Sequence, residues 1–308
     1  MIRLFKSLLS GLLTLLAVSF LTFVLMKLVP GGPFDGDKAL PPEIIAQLEA
    51  KFRLNLPWYE QYFGYIQNLV LNGDFGPSIK QIGRSVGEII AQSLPVSLEL
   101  GFYAITLSVL VGVTLGVTAA IHRGRWPDFT AMIVAISGIS LPSFLVAALA
   151  ILVFARYLGI LPAALWDGPE HRIMPAIVLG LRPAAILARL TRSSVLEVLH
   201  LDYVRTARSK GLPPRTVLYV HVLRNAFIPV LTVLGPMTAT VLTGSFIIEY
   251  VFSIPGLANH FIQGVTNRDY PLIMGVTLLY ATFLVAANMT VDLLYGVIDP
   301  RMKETVKA

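Results

Sequence analysis

The side chains that could do chemistry are few and dispersed. Five histidines stand at His122, His171, His200, His221 and His260, with no spacing that would hold a metal, and there is no cysteine. Without a thiolate, a disulfide framework, a sulfur-ligated metal site and a Cys nucleophile are excluded together. The strings H-E-x-x-H and S-x-x-K are absent, so a metalloprotease helix and a serine–lysine pair are not expected. Gly73, Gly76 and Lys80 lack the spacing of a phosphate loop. What remains is a set of ionisable groups inside or beside apolar runs: Arg182, Arg189, Glu99, Glu249 and Asp292. Each costs about 2.5–3.5 kcal/mol at membrane depth on insertion scales, which makes it a functional candidate.

The elements that must position these groups follow from composition. Of 308 residues, 55% are hydrophobic and 14% charged, against about 25% charged in soluble domains. Mean hydropathy is +0.73. The fold class expected is therefore an all-α polytopic membrane protein. Six runs are long enough to span, at about 8–29, 96–121, 129–155, 173–190, 227–252 and 272–298. The first follows Arg3 and Lys6 and could be a signal peptide, but it exceeds the usual apolar core of one and no A-x-A site follows. A retained anchor is the favoured reading.

Cations cluster after the second and fourth runs (Arg123, Arg125, Arg189, Arg192, Arg205, Arg208, Lys210, Arg215, Arg224) and in the tail (Arg301, Lys303, Lys307). The positive-inside rule then sets both termini in the cytoplasm. The net charge of +6 lies between apolar stretches and so reports topology, not a nucleic-acid surface. The expected layout is an anchor at 1–30, an external helical and loop segment at 31–94, a permease core at 95–301 and a cytoplasmic tail at 302–308.

Arg182 lies near the middle of the fourth run, and Arg189, seven residues on, shares its helical face. Two readings stand: a polar face on a translocation path, or an Arg189 already in the cytoplasm with Arg182 reaching a water-filled cavity. Glu99, Glu249 and Asp292 lie near run ends, where interfacial solvation competes with a place on the path. Pro142 and Pro236 should break or kink their helices and free carbonyls near the midplane. Gly112 and Gly116 form a G-x-x-x-G that would let a second helix approach closely.

The most patterned stretch is the polar loop at about 193–225. Asp202 is placed to cap a short helix over about 203–210, Arg208 and Lys210 sit at its cation-favouring end, and Gly211 can end it in the left-handed conformation. Pro213 and Pro214 prevent its continuation. A helix this short is marginal in water and must be held by packing. A cytoplasmic partner is the favoured support, and an interfacial position among lipid head groups is the alternative.

The segment Asp202-Tyr203-Val204-Arg205-Thr206-Ala207-Arg208-Ser209-Lys210-Gly211, followed by Leu212 and then by His221-Val222-Leu223-Arg224-Asn225-Ala226, resembles the coupling segment of binding-protein-dependent ABC import permeases. The likeness is to the dipeptide/oligopeptide (peptide/nickel) branch. Asn72-Gly73-Asp74-Phe75-Gly76, Ser140-Leu141-Pro142-Ser143-Phe144, Glu249-Tyr250-Val251-Phe252 and Asn267-Arg268-Asp269-Tyr270-Pro271 resemble it in the same order. Arg205-Thr206-Ala207 stands where the wider superfamily has Glu-Ala-Ala, as the peptide branch shows. The resemblance implies one of two related permeases working with two cytoplasmic ATPases and an external binding protein, in a bacterial or archaeal inner membrane. ATP and Mg would be bound by the partner ATPases, with no cofactor in this chain and no enzymatic activity of its own. The ATPase-coupling residues would be Asp202, Tyr203, Arg205, Thr206, Ala207, Arg208, Lys210, Gly211 and Leu212. Two other classes remain open: an ion-coupled secondary transporter or channel, and a membrane scaffold whose basic loop recruits a partner.

Overall fold

A computed structural model describes residues 2–34, 41–243 and 246–298. Among these the regular elements are helical, with a lone β-bridge pairing Pro77 and Ser85. The order is α1 (Ile2–Leu28), α2 (Pro42–Lys51), α3 (Trp58–Asn72), α4 (Val86–Ile121), α5 (Trp126–Ser140), α6 (Ser143–Ala150), α7 (Pro169–Leu199), α8 (Asp202–Ser209), α9 (Pro214–Thr216), α10 (Leu223–Thr243), α11 (Phe246–Val251), α12 (Leu257–Asn267) and α13 (Tyr270–Ile298). π-helical turns extend α6 over Ile151–Tyr157 and join α9 to α10 over Val217–Val222. The chain is a multi-pass membrane protein. Among the described residues, 5 helices are long and apolar enough to cross a bilayer, or 6 if the bent pair α5–α6 counts as one span.

That bent pair is the third expected run. α5 ends at Ser140, Pro142 precedes the first residue of α6, and the two pieces meet at 109°. Pro142 has no N–H to continue the ladder and disfavours helical geometry at Leu141, which is extended at ψ 133°. Pro236 acts differently: α10 runs through it, and through Pro229, as one helix. The fourth run also grows, since α7 extends to Leu199 and keeps Arg189 and Arg192 helical.

The chain divides into two compact units. The first comprises Met1–Ser97 and Pro255–Ala286. In it Phe23 and Met26 of α1 pack with Tyr62 of α3 and with Ile273, Met274 and Leu278 of α13. The Ser19 and Tyr62 hydroxyls lie 2.8 Å apart. Buried Asp269, just before α13, accepts the Ser78 hydroxyl and the Ile79 and Lys80 N–H groups at 3.1 and 3.2 Å. This anchors the 76–85 loop to the start of that helix.

The second unit comprises Leu98–Ile254 and Ala287–Ala308, and α7 is its centre. The sequence demands this, because α7 alternates small buried residues (Ala184, Ala185, Ala188) that let neighbours come close. A Cβ on Gly112 would lie 2.6 Å from the Ala184 carbonyl oxygen, and one on Gly116 2.6 Å from that of Ala188. Gly180 of α7 returns the contact against Ala104 of α4, with the Ser108 hydroxyl 2.8 Å from the Gly180 carbonyl. Gly138 of α5 meets Leu181 and Ala185 from another side.

Candidate functional site

The loop after α7 builds a rigid projecting helix. α8 has two buried side chains, Val204 at 0% and Ala207 at 6% exposure. They insert into a cluster formed by Ala120 of α4, Val195 and Val198 of α7, and Val217, Val222, Leu223 and Ala226 beyond the loop. The helix is thus held by its own chain, and not by a partner alone as the short length first suggested. Burying a valine contributes about 1.5–3 kcal/mol, enough to stabilise two turns that would melt alone. Tyr203 adds a polar tie: its hydroxyl donates to the His221 carbonyl at 3.1 Å and accepts from Asn225 Nδ2 at 2.6 Å.

The start of α8 differs from expectation. Leu201, extended at φ −72° and ψ 147°, is the cap position, and no side chain caps the helix. The Leu201 carbonyl accepts the Val204 N–H at 3.0 Å, so Asp202 falls inside the first turn. There its carboxylate still faces the positive dipole end and stands 3.6 Å from Arg205, both side chains being exposed. At the other end Lys210 caps, and Gly211 turns the chain at φ 77°. Arg205, Thr206, Arg208, Ser209, Lys210 and Leu212 all remain exposed. The Thr206 and Ser209 hydroxyls are spent on the Asp202 and Arg205 carbonyls, so the outward face is essentially cationic.

The ionisable candidates separate into two groups. Arg182 and Arg189 are exposed on α7. Arg182 lines a cavity of about 390 Å³ together with Pro142, Ser143 and Thr240. Arg189 lines a larger one of about 730 Å³, whose walls are Met132 and Ile136 of α5 and Val233 of α10. Both are open clefts; Ser140 adds to the polar lining of the smaller, and Arg192 and Ser193 join Arg189 in the otherwise apolar wall of the larger. Glu99 is tied elsewhere: Arg172 Nε donates to Oε1 at 2.7 Å and Trp166 Nε1 to Oε2 at 3.3 Å, with the guanidinium 5.3 Å over the Trp166 ring. Glu249 is fully buried in α11 and lines neither cavity, and Pro236 is exposed on α10. The Asp292 side chain lies outside the described residues, as does the tail.

Two features lie outside the candidates named from the sequence. The first is an ion pair between Asp128 and Arg192, bidentate at 2.6 and 2.8 Å. Its partners are 64 residues apart, so no local pattern signals it. The second is Gly83-Arg84-Ser85-Val86-Gly87, which has the G-x-S-x-G spacing of a hydrolase elbow. Here it is a capping box: the Ser85 hydroxyl accepts the Glu88 N–H, and the Glu88 carboxylate accepts the Ser85 N–H, both at 3.1 Å. A helix start of this kind presents no nucleophile on a strand-to-helix turn.

A multi-helix membrane unit with a short basic helix braced against its core defines a permease-type architecture. The chain belongs to the family described as the binding-protein-dependent transport system inner membrane component, whose model matches residues 112–304. The N-terminal model of the same family matches residues 1–100. The dipeptide transport system permease protein DppB of Bacillus subtilis is 46% identical over 290 residues, 94% of each chain. The oligopeptide transport system permease protein OppB of Haemophilus influenzae is 44% identical over 302 residues, 97% of this chain and 98% of that protein. The Escherichia coli K12 OppB is 42% identical over 94% of this chain and 95% of its own length. Among solved structures, the MetNI methionine ABC transporter in an inward-facing conformation matches with TM-score 0.57 at 16% identity, over 68% of this chain and 96% of that one. An amino acid ABC transporter matches with TM-score 0.54 at 18% identity, over 68% and 93%. At these identities the structures speak for the fold.

Proposed function

We propose that the chain is one transmembrane half of an ATP-driven importer of the bacterial or archaeal inner membrane, passing peptides delivered by an external binding protein. A homologous second permease would complete the pathway, and two cytoplasmic ATPases would bind and hydrolyse ATP with Mg. Both termini lie in the cytoplasm on this reading, and the 31–94 segment lies outside. The observation that carries it is α8: a two-turn helix with its apolar side buried in the permease, its cationic side exposed, and its exit fixed by Gly211 at φ 77°. Such a helix can be pushed without bending, because Val204 and Ala207 tie it to α4, α7 and the start of α10. Closure of the ATPase pair would displace it as a rigid body and rock the permeases between inward-open and outward-open states. Arg182, Arg189 and Pro142 supply the candidate path surface.

The test is peptide uptake into vesicles holding the assembled complex. Uptake is expected only with ATP, both ATPases and the loaded binding protein present. Uptake driven by an ion gradient without ATP would overturn the reading in favour of a secondary transporter. Stable recruitment of ATPases with no uptake under any condition would overturn it in favour of a scaffold.

A further inference from the structure

We propose that the Asp128–Arg192 pair is a positioning latch that makes α5 follow α7 when α8 is displaced, an inference that rests on the import reading above. Asp128 stands in the first turn of α5 and is 5% exposed. Arg192 Nε donates to its Oδ1 at 2.6 Å and Arg192 Nη2 to Oδ2 at 2.8 Å, and the Gly124 N–H adds a third bond to Oδ2 at 2.9 Å. A forked guanidinium–carboxylate contact fixes direction as well as distance, and with the Asp128 side chain 7% and the Arg192 side chain 28% exposed this one is screened by salt less than an open surface pair.

Position on α7 gives the pair its role. Arg192 lies one turn before Val195 and two before Val198, the residues that α7 contributes to the cluster burying Val204 and Ala207. The same stretch of helix therefore grips α8 on one side and α5 on another. α5 and α7 are also the walls of the larger cavity, through Met132 and Ile136 on one and Ile186 and Arg189 on the other. Apart from the pair, α5 meets α7 through apolar packing: Gly138 lies on Leu181, and Ala135 lies beside Ala185 and Ala188 with Met132 and Ile139 packed around them. Such contacts are close but non-directional, so the forked pair is the contact that fixes the register of one helix on the other. With the latch closed, a push on α8 moves both walls; with it open, α7 moves and α5 lags.

The measurement is peptide imported per ATP hydrolysed by the full complex in vesicles. Asp128→Asn is expected to lower this ratio about tenfold, within the usual range of coupling energies, while stimulated hydrolysis persists. Because the chain has no cysteine, Asp128→Cys/Arg192→Cys introduces the only two thiols of this subunit. It should show the same loss, and a short bismaleimide bridging the two thiols should restore the ratio. A merely structural loss would lower import and stimulated hydrolysis together and leave their ratio near native. Arg192→Lys, which keeps the charge and loses the fork, should give an intermediate ratio and serves if the other variants do not assemble. Native ratios in Asp128→Asn or Arg192→Lys, or a bridged double variant as uncoupled as the unbridged one, would overturn the latch. The unmodified complex scores the import reading separately: a native complex that fails to import takes that reading down, whereas equal coupling in native and variant complexes sinks the latch alone.

Discussion

Val204→Ala removes two methyl groups from a side chain with 0% exposure in a helix that has only one other buried residue. The transfer loss is about 1.6 kcal/mol at ~0.8 per carbon, and the cavity left among Val195, Val198 and Val222 raises it to about 2 kcal/mol. Because α8 is too short to persist undocked, this loss falls on its docking equilibrium and not on the whole fold. The detached population should rise about thirtyfold, since each 1.4 kcal/mol is a factor of ten. Hydrogen exchange of the amides in 202–209 reads this directly in detergent or nanodiscs, with the α7 amides as internal reference. Arg205→Ala is the control: its side chain is 75% exposed and its 3.6 Å contact with Asp202 contributes little, so exchange should stay native. Native protection of 202–209 in Val204→Ala would refute the claim that this contact holds the helix in place.

Gly211→Val places a β-branched residue at φ 77° and should cost about 1–3 kcal/mol at the exit of α8, so stimulated ATP hydrolysis by the complex should fall while membrane insertion is kept. Gly116→Val would drive a Cβ to 2.6 Å from the Ala188 carbonyl oxygen and from Thr191 Cβ, so the yield of folded, monodisperse protein should drop sharply on size exclusion. His260, outside the spans, has its pKa lowered by burial and then by Arg84, and its Nδ1 is buried without a partner. The folded state resists a proton that the unfolded state takes up near pH 6.5, so this histidine's contribution is full above that pH and is lost as pH falls below it. The thermal midpoint should fall between pH 7 and 5, and His260→Gln should flatten that slope.

Much of this was legible because its causes are local. Apolar runs of spanning length need no partner to be recognised, and Pro142 stops a helix through its own covalent structure. The end of α8 at Gly211 follows from glycine's freedom at positive φ. What stayed hidden depends on pairing at a distance. Asp202 looked like a cap, but Leu201 takes that place because its carbonyl already accepts the first helical N–H groups. α3 passed unseen among polar and aromatic residues, since its support is Tyr62 packing on Phe23 at 5.5 Å between rings. Glu99 was legible only as an ionisable group near a run end, and its partner Arg172 lies 73 positions on. Val204 did leave a trace, as the one large aliphatic residue of α8, one turn before Ala207 among mostly polar neighbours.

On the import reading, α8 is gripped from the cytoplasm by an ATPase. A single thiol at Arg205→Cys, in a chain otherwise free of cysteine, reports on it in intact cells and in the assembled complex. A membrane-impermeant maleimide should leave this thiol unlabelled from outside, and a short cross-linker should join it to an ATPase subunit with a yield that changes between ATP-bound and nucleotide-free states. Labelling from outside, or an assembled and transporting complex in which no ATPase is ever joined to this position, would contradict it.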